Sequence, residues 1–159
     1  IEGHRTPEQI EAAARKKAAE EKAKQDAVLA RQRDQNLLAT YLTVEEIEAL
    51  RDRRADILEA QARVTIQYLD GLRAKLAALE KQALAFKPYN PAEDAAPLPE
   101  HLAEDLVRTV NDVRSQERNL ETKRTETQKL REQFGRDIAR FKELKKIESD
   151  YVRSVQPRS

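Results

Sequence analysis

The chain has 159 residues, carries 30 Lys/Arg against 29 Asp/Glu for a net charge of +1, and contains no cysteine, methionine or tryptophan. Balanced charge excludes the strong field that draws nucleic acid or a membrane surface to a protein, and the lack of cysteine removes disulfides, thiolate metal sites and a cysteine nucleophile. Because 23 of the hydrophobic residues are alanine and only three residues are glycine, a compact globule would lack both large side chains and turns, whereas long helices can be held by a narrow apolar seam.

The opening Ile1-Glu2-Gly3-His4 reads as the remnant of a cleavable expression tag, so residues 1–5 are set aside as foreign to the fold. Thr6-Pro7-Glu8-Gln9 is a helix start: Thr caps, Pro suits the first helical position, and Gln can close a capping box. The spacing predicts a charged, Ala-rich helix over 6–41 whose first half has almost nothing to bury and whose end, from Val28 to Leu42, does. Thr43 and Glu46 form a second capping pair with Leu42 and Ile47 as a staple around it, so either a new helix begins here or one helix continues with a bend.

A first hairpin arm is predicted over 43–86. Its seam runs Ile47, Leu50, Ile57, Val64, Tyr68, Leu72, Leu76, Leu79, Ala83 and Phe86, with the polar residues Arg54 and Gln61 where the 3-4 spacing demands an apolar one. The run 64, 68, 72, 76 takes steps of four, which would relax a left-handed supercoil locally.

Residues 87–99, KPYNPAEDAAPLP, hold four of the six prolines between two long proline-free runs. Proline lacks the N–H a helix interior needs, so the chain must turn back here. A second arm follows over 100–155. Its seam includes Leu102, Leu106, Val110, Val113, Leu120, Thr127, Phe134, Ile138, Phe141 and Leu144, continues through Ile147, Tyr151 and Val155, and is interrupted by Glu117 and Arg124. Folding the arms about the turn sets Gln61 near Arg124, Tyr68 near Glu117, Leu79 near Leu106 and Ile47 near Ile138, and places Leu37, Leu38 and Tyr41 beside Leu144, Ile147 and Phe141. Matched polar interruptions can fix the register of such a pair.

The run Arg33-Asp34-Gln35-Asn36-Leu37-Leu38-Ala39-Thr40-Tyr41, with Val44-Glu45-Glu46-Ile47 and Arg51-Asp52-Arg53-Arg54 after it, resembles helical tails of uncharacterised proteobacterial cell-envelope proteins. In those a small domain of unknown function precedes a charged Ala-rich helix. The resemblance implies a periplasmic or envelope setting, the cytoplasm being the alternative, and says nothing about activity.

No catalytic or metal-binding pattern emerges. His4 lies in the tag-like start and His101 at a helix start, without a second histidine at ligand spacing. Gly71 and Gly135 are isolated in helical patterns, where they mark close packing or a bend rather than a phosphate loop. Arg51, Arg53 and Arg54, like Lys142, Lys145 and Lys146, are interleaved with acids, which speaks against nucleic acid. No apolar run approaches the roughly 20 residues of a membrane span.

The fold expected is therefore all-α, a long antiparallel coiled-coil helical hairpin with an N-terminal helical extension. It would act without cofactors as a scaffold or protein-protein interaction module, and Leu58, Ile66, Leu69 and Leu84, left off the seam as a second apolar row, point to a homodimer. The alternative is a tentacle-like chaperone that grips unfolded or membrane-derived clients between its arms. The register has a direct test. Thiols introduced at Ile47 and Ile138 should cross-link within one chain under mild oxidation, since a disulfide needs Cα atoms within about 7 Å, whereas thiols at Ile47 and Leu106 should not; linking of the second pair would mean a different hairpin.

Overall fold

The computed structural model of the protein describes residues 3–156, so the first half of the tag-like start and the closing Pro157 lie outside the described residues. Three helices follow in order: α1 Pro7–Thr40, α2 Val44–Ala83 and α3 Glu100–Val155. The protein is all-α, and α2 packs against α3 as a hairpin.

Local chemistry sets the helix limits. Thr6 Oγ1 accepts from the Gln9 amide at 3.3 Å while Gln9 Oε1 accepts from the Thr6 amide at 3.0 Å, the reciprocal box that the opening motif predicts. At the other end of α1, Tyr41 is extended (φ −121°, ψ 142°), so the chain breaks rather than bends. Thr43 Oγ1 then caps the Glu46 amide at 3.3 Å, and Glu46 reaches back to the Leu42 amide at 2.8 Å. Leu42 itself stays exposed, so the carboxylate rather than the expected Leu42–Ile47 staple fixes this entry.

Between α2 and α3 the turn spans 84–99, three residues earlier than its proline content suggests, because α2 already ends at Ala83. Lys87 holds the loop together. Its amide donates to the Ala96 carbonyl at 2.8 Å, its carbonyl accepts from Leu98 at 3.1 Å, and its ammonium donates to the Glu93 carbonyl at 2.8 Å. Phe86 and Leu98, like Leu106, pack against the buried cluster of Leu79, Ala83 and Leu102.

The described residues form two compact units, one of residues 49–134 and one that takes in the rest on either side of it. In the first, α2 turns Ala55, Leu58, Ala62, Thr65, Leu69, Leu72, Leu76, Leu79 and Ala83 inward, an unbroken 3-4 alternation. Leu69 and Leu72 pack with Val113 and Leu120 of α3, with Ala62 and Leu76 at their edge. This corrects the predicted seam over 54–68. Ile57, Val64 and Tyr68 face out, while Leu58 and Leu69, expected in an outer row, face in. The steps of four therefore do not occur. Their neighbours won the inner face because small side chains such as Ala55, Ala62 and Thr65 let two helices approach closely, a property that a search for large apolar residues overlooks. Buried Thr65 satisfies its hydroxyl on the Gln61 carbonyl at 3.1 Å.

In the second unit Ile47, Ile138 and Phe141 are buried and Leu144 is half-buried; in the first, Leu50 is half-buried. Arg140 Nε and Nη2 donate to the two Asp34 carboxylate oxygens at 2.9 and 2.8 Å, tying the end of α1 to α3, and Leu37 and Tyr41 are half-buried there. No residue of α1 is fully buried. Ile147, Tyr151 and Val155 are exposed, so the α3 seam stops short of its predicted end.

Two leucines assigned to one outer row thus have opposite environments. Replacing Leu69 by Ala should lower unfolding stability by about 2 to 5 kcal/mol through transfer and cavity terms, whereas Leu84→Ala should change it by less than about 0.5 kcal/mol; urea denaturation of the two variants checks the assignment.

Candidate interaction surfaces

Within the unit of residues 49–134, α2 is a helix with two apolar faces. One is covered by α3. On the other, Ile57, Val64 and Tyr68 are 58, 66 and 54% exposed, and at helical spacing they share a face with Ala60, Gln67, Gly71 and Ala74. A methyl built on Gly71 would meet nothing within 4 Å, so no packing in the chain requires a glycine there; the same holds for Gly135. Of the two expectations for these glycines, close packing or a bend, close packing within the chain is not met.

A second apolar surface lies beside the turn. Leu76, Ala83, Leu84, Tyr89, Leu106, Val107 and Val110 line a groove of about 580 Å³, with Glu80, Asn111 and Arg114 at its border. Leu84, Tyr89 and Val107 are all more than half exposed. Its origin is geometric: the loop folds back over Ala83 and Leu102 and leaves the flanks of both helices bare.

The four polar residues predicted inside the seam are all exposed at its edges. Arg54 lies over the Phe134 ring at 5.7 Å. Gln61 accepts from Lys123 at 3.4 Å, so Lys123 rather than the predicted Arg124 meets it. Glu117 accepts from Arg73 at 3.1 Å and not from the neighbourhood of Tyr68. Arg124 lines a separate, charged groove with Glu59, Arg63, Ile66 and Arg131, and Arg131 also pairs with Glu59. Each cross-helix pair is at least 40% exposed on both sides and so contributes specificity more than stability. Of the other predicted seam residues, Leu72, Leu79, Val113, Leu120 and Phe134 are buried, and Leu76 and Leu106 are half-buried.

In the other unit the charges are more constrained. The hydrogen bond from Arg140 holds the Asp34 carboxyl below its usual value of 3.8, against a smaller opposing effect of burial. Hydrogen bonds to Asp34 and then Glu143 push the Arg140 guanidinium up. Lys145 covers the buried Phe141 ring at 5.5 Å.

Among the described residues no group of three His, Asp or Glu side chains could hold a metal ion, and no helix is long and apolar enough to cross a membrane. Compared with protein-family models, curated proteins and solved structures, the chain matches none.

Because the Asp34 carboxyl titrates below its unfolded value, its tie to Arg140 is fully present above pH about 4 and is lost as pH falls through the lowered value. Carbon NMR titration should place the Asp34 midpoint below 3.8, and Arg140→Gln should return it toward that value; an unshifted midpoint in the wild-type chain would show that the pair does not form in solution.

Proposed function

We propose that the chain is a non-enzymatic helical scaffold that works by protein-protein contact and assembles as a homodimer. The observation that carries this reading is the uncovered face of α2: Ile57, Val64 and Tyr68 stand in water on a helix whose opposite face is already filled by α3. A helix that is apolar on two sides is built to touch two helices, and a hairpin supplies only one. The homodimer thus rests on different residues from those that first suggested it, since Leu58 and Leu69 are used within the chain. The resemblance of residues 33–54 to envelope-protein tails supports a periplasmic or envelope setting for the scaffold.

The second reading, a chaperone-like binder of unfolded clients, is supported by the groove beside the turn, whose apolar rim of Leu84, Tyr89 and Val107 is open. It receives no support between the arms, where Leu69, Leu72, Val113 and Leu120 fill the space. Sedimentation should find a dimer in the range from micromolar to hundred-micromolar concentration, and the chain should leave the light scattering of an aggregating unfolded client unchanged. A monomer throughout that range that suppresses scattering would replace the scaffold by the chaperone.

A further inference from the structure

We propose that the second copy docks antiparallel on the outer face of α2, with a two-fold axis between Thr65 and Ile66, and that Arg63 and Asp70 set this register. The proposal rests on the self-association reading and adds its geometry. The outer face repeats as a heptad seam, with Ile57, Val64 and Gly71 at one position and Ala60, Gln67 and Ala74 at the other. In an antiparallel pair the two positions face each other, so about the proposed axis Val64 packs beside Gln67 of the second copy, Ile57 beside its Ala74, and Ala60 beside its Gly71. A large side chain meets a small one at Ile57, and two nearly bare backbone segments meet at Gly71. This gives a reason for a glycine that costs roughly 1 kcal/mol relative to alanine in a helix interior while open space surrounds it within its own chain.

Charge selects this register among its neighbours. Arg63 and Asp70 lie one heptad apart on the same flank of the seam; both are exposed, and neither is engaged in an ion pair among the described residues. About the proposed axis Arg63 of each copy meets Asp70 of the other, two pairs per dimer. Sliding by one heptad in either direction brings Asp70 to Asp70 or Arg63 to Arg63, which repel. On the other flank Tyr68 meets Gln61, whose amide oxygen accepts from Lys123 of its own chain. Beyond it Arg54 would approach Lys75, but Arg54 is turned onto the Phe134 ring of its own chain. A parallel pair would offer Asp70 to Lys75 instead, while leaving Arg63 against Tyr68 and stacking Gly71 on Gly71, an empty layer between full ones. α3 covers the opposite face of α2 and borders the contact only at its flank, where Arg63 lines a groove with Arg124 and Arg131.

The test is an exchange of charges read by sedimentation at low salt. Arg63→Asp and Asp70→Arg should each weaken the dimer by about tenfold or more, because two exposed attractions become two repulsions. An equimolar mixture of the two variants should form heterodimers as tight as the wild-type dimer, since every cross-pair is again opposite in charge. Gly71→Leu, which has room in the monomer, should keep or raise helicity by circular dichroism and still weaken the dimer. If both charge variants dimerise like wild type, or Gly71→Leu leaves the dimer intact, the docking geometry is overturned while the scaffold stands. If Asp70→Arg alone weakens the dimer and the mixture does not recover it, the pair is parallel and the proposal fails. If the wild-type chain is monomeric throughout, the self-association reading itself falls.

Discussion

The bonds of Lys87 with Ala96 and Leu98 close a segment that cannot be helical, and within residues 49–134 the packing of α2 on α3 is registered from that closure. Prolines forbid the helix but do not decide where α3 begins relative to α2. That is decided when Lys87 pins the loop ends and sets Phe86 and Leu98, beside Leu106, against Leu79, Ala83 and Leu102. Once Leu79 and Leu106 share a cluster, 3.6-residue geometry dictates which side chains meet farther along, because each turn of one helix faces a turn of the other. Leu69 and Leu72 against Val113 and Leu120 follow from that first contact.

The hairpin, its turn, the Thr6 capping box and the Thr43 cap were legible in the sequence because each depends on residues close together in the chain. Thr6 with Gln9 and Thr43 with Glu46 are local hydrogen-bonding patterns, and proline excludes helix wherever it stands. The inner face of α2 between 54 and 68 was not legible by size. Ranking residues by apolar bulk selects Ile57, Val64 and Tyr68, yet close helix contact favours Ala55, Ala62 and Thr65. Counting back by threes and fours from Leu79 through Leu76 and Leu72, without regard to bulk, reaches Leu69, Thr65, Ala62, Leu58 and Ala55. The signal was present in the period and hidden by the composition. The same one-residue shift explains the polar residues: Arg54, Gln61, Glu117 and Arg124 leave the interior, and Gln116 and Lys123 take the half-buried positions beside them.

The two faces of α2 therefore follow different rules. The inner one uses small residues to bring α3 close and ends in a leucine cluster, and its only fully buried hydroxyl on this helix bonds its own backbone. The outer one carries large β-branched and aromatic side chains in water, flanked by Arg63 and Asp70. An arrangement that hides alanine and displays isoleucine is costly for an isolated chain. A second copy seated on that face would recover the cost, and the assembly rather than the single hairpin would then be the unit on which selection acts.

The absence of buried residues along α1 has its own consequence. Its helicity comes from alanine, from charge pairs such as Glu11 with Arg15, and from the Thr6 cap, none of which refers to anything outside the helix. Each residue adds about 1.5 Å of length at nearly constant free energy, so the 34-residue helix behaves as a ruler. Its reach can be lengthened or shortened by several residues with no rearrangement of a core, and evolution can set the distance it spans independently of the hairpin to which Asp34 and Arg140 attach it.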